Sequence, residues 1–221
     1  MTGALDAADP IERAAAVAAL GVTGAATVSE RSRLVDIVSR DPEPRVRCAA
    51  LGALARLGLD EPEADVLWSV AVADPDPGVR RRAAEAAPDL GVAAGRLLDL
   101  VADGEPLVAE AAAFALGELG EEAGDVGAVA ALADVAVGHD DQMVREAAVA
   151  ALGAIGDPTG LDAVLGAMSD RPSVRRRAVL ALAAFEGQEV EAALASALQD
   201  RDWQVRQAAE DLAAPETPGR P

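Results

Sequence analysis

The residues best suited to chemistry in this chain are arginines. Arg13, Arg47, Arg80, Arg145, Arg175 and Arg206 recur at nearly even spacing, each at the same place in a repeated motif, and Ala109 interrupts the series. A guanidinium stays charged and presents a planar fork of N–H donors, so it pairs bidentately with carboxylate or phosphate. A column of such groups has two uses: it can await an anionic ligand, or each arginine can reach a turn aspartate of its own or an adjacent repeat. Asp41, Asp74, Asp140, Asp170 and Asp200 stand in those turns, so a structural Arg–Asp ladder is the expected use. The runs Arg80-Arg81-Arg82 and Arg175-Arg176-Arg177 look like basic clusters. On a helix, adjacent residues point about 100° apart, so each run sprays charge rather than forming a phosphate site.

Other chemistry is poorly supplied. A metal centre needs several His, Cys, Asp or Glu side chains converging, and the chain has one histidine, His139, and one cysteine, Cys48, far apart in sequence. His139 reads as an exposed loop residue. A Ser–His–Asp set would have to use it, and nothing places a serine beside it. The glycines fall at helix ends with the repeat period, as caps, and form no phosphate loop. These absences argue for a non-enzymatic chain with no cofactor and no metal.

The arginine column belongs to an internal repeat. The stretch DRPSVRRRAVLALAAFEG from Asp170 is written again as DPEPRVRCAALGALARLG from Asp41 and DPDPGVRRRAAEAAPDLG from Asp74. Further copies start at Asp140 and Asp200, with weaker ones at Asp9 and Gly104. Registered on the residue before the arginine, the copies fall at Glu12, Val46, Val79, Val108, Val144, Val174 and Val205, with gaps of 34, 33, 29, 36, 30 and 31 residues. That period suits one helix–turn–helix unit per repeat. Offsets 0, 4, 7, 8 and 11 are apolar, as in Val46, Ala50, Ala53, Leu54 and Leu57, which makes one face of a helix.

The spacing predicts paired helices. The second of each pair falls at 10–20, 44–57, 77–90, 106–119, 141–155, 172–185 and 202–213. The first falls at 28–39, 61–73, 92–102, 125–137, 159–168 and 189–199. Proline at the first turn costs nothing there, because that N–H has no helical partner. Residues 1–8 are expected to fray, 120–124 to form a longer loop, and Pro88 to disturb the end of its helix. The tail PETPGRP, 215–221, is too rich in Pro and Gly to pack. The remainder, 1–214, is expected to be a single domain.

The motif D-x-P-x-V-R-x-x-A-x-x-A-L-x-x-x-G resembles the HEAT repeat, specifically the short bacterial type named for phycobilisome lyases. The resemblance covers most of the chain. It implies an all-α α-solenoid of six to seven antiparallel helical hairpins, a right-handed superhelix whose second helices line the concave side. In that family the Arg–Asp pair is structural. The superfamily's deoxyhypusine hydroxylases hold iron through His-Glu dipeptides, and this sequence has none. Its DNA glycosylase branch needs a basic groove and aromatic side chains, and only two Phe and two Trp are present.

Composition fits a stacked array. Half the chain is hydrophobic (51%) yet only 2% is aromatic, so the core must be Ala, Leu and Val, with each unit burying its face on its neighbours. The formal charge is −19, from 38 acidic and 19 basic residues. No basic footprint for nucleic acid or anionic membrane exists, and a partner with basic segments is favoured. The acidic opening MTGALDAADP lacks the basic start of a secretory signal. No apolar run reaches the length of a membrane span. A single cysteine suits a reducing compartment, so a cytoplasmic protein is expected, as a monomer or weak dimer, and the absence of Lys beside abundant Ala, Arg and Gly points to a GC-rich, bacterial genome.

What remains is surface. Offsets 2 and 6 on each second helix point away from the apolar stripe. Offset 2 holds Cys48, Arg81, Glu110, Glu146 and Arg176, and offset 6 holds Gly52, Glu85, Phe114, Ala150 and Leu180. Phe114 and Leu180 are large apolar residues where water is expected, the signature of a contact surface. Partner binding along this face is therefore assigned to Arg81, Glu85, Glu110, Phe114, Glu146, Arg176 and Leu180. The alternative is a lyase-like accessory enzyme that holds a bilin or similar flat ligand in the concavity.

Overall fold

The computed structural model describes residues 2–124 and 127–213. Among these residues the structure is helical with no strand. By internal contacts the chain divides into two compact units, Met1–Ala115 and Leu116–Pro221. The expected tail, 215–221, lies outside the described residues.

The first unit contains α1 (Thr2–Leu5), α2 (Pro10–Thr23), α3 (Val28–Arg40), α4 (Pro44–Leu57), α5 (Glu61–Val72), α6 (Pro77–Ala86) and α7 (Leu98–Val101). The division falls within α8 (Pro106–Leu119). The second unit continues with α9 (Glu121–Gly124), α10 (Ala128–Gly138), α11 (Gln142–Ile155), α12 (Leu161–Ala167), α13 (Pro172–Ala181), α14 (Gln188–Ala197) and α15 (Trp203–Ala213).

The helix starts obey the sequence. α2, α4, α6, α8 and α13 all open on proline, and Asp9, Asp76 and Asp141 cap their helices by accepting from the backbone N–H two residues on. Thr27 and Glu30 close a reciprocal capping box at the start of α3, which satisfies two N–H groups the first turn would leave unpaired. At the other end, α2 and α11 stop on glycines with positive φ, Gly24 at 64° and Gly156 at 68°, a conformation that favours a residue without Cβ.

The apolar stripe is the core. Val46, Val79, Val108, Val144, Val174 and Val205 are fully buried, as are the alanines four residues on, from Ala50 to Ala178. Small residues let neighbouring second-position helices approach closely. α2 packs on α4 and α4 on α6 in the first unit, and α11 on α13 and α13 on α15 in the second. A Cβ added to Gly21 would lie 2.9 Å from the Ala53 Cα, and one added to Gly153 would lie 2.7 Å from the Ala181 Cα. No real Cβ fits at those distances, so glycine at these points sets how near the helices come.

Four local expectations are corrected. The stretch expected to fray does not simply do so over 2–8: α1 forms one turn, with Leu5 only 1% exposed. Its buried leucine holds it to α2. The helix expected to Leu90 ends at Ala86, because Pro88 has no N–H to donate and the chain turns through Pro88–Gly91. The helix expected over 92–102 is shortened to a 3-10 turn, Ala94–Leu97, running into the single turn of α7. The loop expected at 120–124 carries the short α9.

Candidate binding surface

The arginine column folds into a ladder within each unit. In the first, Arg13 grips Asp41 at 2.8 and 2.9 Å, Arg47 grips Asp74 at 2.7 Å twice, and Arg80 grips Asp103 at 2.7 and 2.9 Å. In the second, Arg145 holds Asp170 at 2.6 and 2.8 Å and Arg175 holds Asp200 at 2.8 and 2.7 Å. In every case Nε and Nη2 take the two carboxylate oxygens, the bidentate fork that suits a guanidinium. The acceptor always belongs to the following repeat. Nη1 instead donates to backbone carbonyls of the arginine's own turn, such as Asp41 for Arg47 and Asp74 for Arg80.

Each aspartate has a second task. One oxygen of Asp41, Asp74, Asp103 and Asp200 also accepts from the backbone N–H two residues on, and Asp170 accepts from that of Arg171. The same side chain therefore closes its own loop and docks the previous repeat. The guanidiniums hold the Asp103, Asp170 and Asp200 carboxyls below the ordinary range. Burial pushes Asp41 up, but Arg13 and the Glu43 N–H outweigh it.

Two assignments change. Among the described residues Asp140 is not a ladder carboxylate: its backbone carbonyl accepts from Arg145, and its side chain meets no arginine. The equivalent place is taken by His139, whose Nδ1 accepts from the Asp141 N–H at 3.0 Å. Asp103, not picked out from the sequence, is the acceptor for Arg80. A matching signal was present, since Asp103-Gly104-Glu105-Pro106 repeats the pattern of Asp41-Pro42-Glu43-Pro44. Arg206 donates Nη1 to the Asp200 carbonyl at 2.7 Å, with no carboxylate on its other nitrogens among the described residues.

The surface residues divide into spent and open. Arg81 and Arg82 both bind Glu85, at 2.8 and 3.1 Å, so that carboxylate is neutralised on its own helix. Glu146 is largely covered, with Arg177 of the next second-position helix at 3.5 Å. Glu110 is half-buried with no cation within ion-pair range among the described residues, and Arg176 is half-buried. Phe114 is 49% and Leu180 41% exposed, so neither is tucked under a neighbouring helix. Cys48 is half-buried, and desolvation pushes its thiol above the ordinary value. Among the described residues, no group of three His, Cys, Asp or Glu side chains converges to hold a metal ion. No described helix is long and apolar enough to cross a membrane.

Comparison with known proteins decides the family. The model of HEAT repeats matches residues 2–87 and 95–172, and the PBS lyase HEAT-like repeat matches 174–200. The chain is a HEAT-repeat protein. No curated protein matches its sequence. Solved structures do. YibA of Escherichia coli superposes with a TM-score of 0.75 at 17% identity, over 96% of this chain and 78% of that one. A designed armadillo repeat protein in complex with the peptide (KR)4 gives 0.53 at 17%, over 96% and 95%. A second designed armadillo repeat protein gives 0.51 at 18%, over 95% of each. At these identities the likeness is of fold, and the fold is the all-α solenoid.

Proposed function

We propose that this HEAT-repeat protein is a non-enzymatic scaffold that binds a protein or peptide along the surface lined by its second-position helices. The observation that carries the reading is the exposure of Phe114 and Leu180. At offsets 2 and 6, where the other second-position helices carry small, polar or charged residues, Phe114 and Leu180 present large apolar side chains to solvent on a rigid support, where an anchor pocketed by a partner is expected; Leu107 and Met143 add exposed apolar surface at the starts of α8 and α11. Arg81, Glu85, Glu110, Glu146 and Arg176 set the polar surround. A net charge of −19 favours a partner with basic segments, and a designed repeat protein of similar fold carries such a peptide. We place the protein in the cytoplasm, acting as a monomer or weak dimer.

The test is a pull-down from host lysate with the wild-type chain beside Phe114→Asp/Leu180→Asp, the variant's helicity being checked by circular dichroism. A protein retained by the first and lost by the second supports the reading. Equal recovery on both moves the contact off these helices.

A further inference from the structure

The positions at offsets 2 and 6 lie one turn apart on the same helix face. α6 fills them with Arg81 and Glu85, which bind each other. α11 fills them with Glu146, faced by Arg177, and Ala150. α13 carries Arg176 and Leu180, a base beside an aliphatic side chain. Only α8, among these four, sets an aromatic ring beside a carboxylate: Phe114 is 49% exposed, and Glu110, one turn earlier, meets no cation among the described residues.

We propose that Glu110 and Phe114 form a subsite for a cationic side chain, Lys or Arg, on a basic segment of the partner. The proposal rests on the scaffold reading above and names what one part of that surface takes. The chemistry follows from the pair. The face of an aromatic ring carries negative potential and attracts a guanidinium or ammonium, and the carboxylate one turn away meets the same charge. The aliphatic stem of Lys or Arg lies along the ring while its head reaches the carboxylate. An aliphatic side chain on the partner would use the ring but leave Glu110 without a counter-charge. The net charge of −19 raises the local concentration of cationic segments and speeds their encounter. At Leu180 the polarity is reversed, since Arg176 repels the same head group. A basic side chain is therefore directed to α8 rather than α13.

The experiment titrates the full chain into fluorescently labelled (KR)4 peptide and follows anisotropy at low and at physiological ionic strength. The variants are Glu110→Gln, Phe114→Leu, which keeps apolar bulk and removes the ring, and Val66→Ala as the control. Glu110→Gln and Phe114→Leu should each weaken binding by about two- to fivefold, the range expected for one exposed cation–π or charge contact. Val66→Ala, at an exposed position of α5 outside the assigned surface, should match wild type. Equal affinity across all four chains overturns the subsite, because the peptide is then held by diffuse charge elsewhere. No binding of (KR)4 by wild type overturns it as well. Both results leave the scaffold reading to the pull-down, whose failure would be equal recovery on wild type and Phe114→Asp/Leu180→Asp.

Discussion

The ladder is built differently in the two units. In the first, three arginines find three carboxylates in unbroken succession, ending on Arg80 and Asp103. In the second, the series opens on a histidine, and the Arg–Asp links follow from Arg145 onward. The contrast separates two tasks that every other ladder aspartate performs at once. His139 keeps the loop-closing task, accepting from the N–H two residues on, and drops the docking of a guanidinium. The sequence position that would supply that guanidinium holds Ala109. A carboxylate is required in these turns only where an arginine is there to be paired; closing the loop asks only for an acceptor.

Exchanging the two solutions breaks or sharpens this contrast. The largest effect is expected from Asp74→His, which puts the second unit's residue into the first. Arg47 is 9% exposed and Asp74 8%, so the change strands a buried guanidinium and should cost about 3–5 kcal/mol of stability, measured by urea unfolding. A cost under about 1 kcal/mol would mean that the ladder's charge pairing contributes little, and the contrast would lose its meaning.

The next effect is a pH dependence. Asp170 has its folded pKa depressed by Arg145. Its contribution is therefore fully present above the unfolded aspartate value, about 3.9, and is lost as pH falls through the lower folded value. Asp170→Asn should lose about 1–3 kcal/mol at neutral pH and should show a shallower loss of stability on acidification than wild type. Parallel curves of unfolding free energy against pH would remove Asp170 from the acid response. The smallest effect belongs to His139→Asp, the reverse exchange. The acceptor for the Asp141 N–H is retained and no buried pair is broken, so stability at neutral pH should change by no more than about 0.5 kcal/mol. A loss above about 1 kcal/mol would show that the imidazole does more than close its loop.

Much of this architecture was legible because its causes are local and repeated. The Val–Ala–Leu stripe sets the buried face, and the prolines at 44, 106 and 172 set helix starts that match the structure to the residue. Helix ends were read less well. The end of α6 depends on Pro88 withholding one N–H, and the periodicity runs past it. The ladder was foreseen as an Arg–Asp pairing, but the partner was misplaced at one turn. His139 precedes Arg145 by six residues, as Asp41 precedes Arg47 and Asp74 precedes Arg80, and the eye follows the acidic Asp140 instead. Which surface charges are free was not legible at all. Glu85 and Glu110 look alike in the sequence, and only the placement of Arg81 and Arg82 shows that one is neutralised.

Because every ladder link runs from one hairpin to its successor and uses the same atoms, the links are interchangeable. Removing the hairpin that carries Asp74 and Arg80 from the first unit would bring Arg47 to Asp103, an acceptor with the same loop around it. Duplicating that hairpin would add one arginine and one aspartate in matching places. Where the links are unbroken the array can therefore lengthen or shorten by whole repeats without leaving a buried charge alone, whereas a cut within a repeat strands one partner. Change by gene duplication and loss is thus tolerated in steps of about thirty residues, the natural unit of a HEAT-like array.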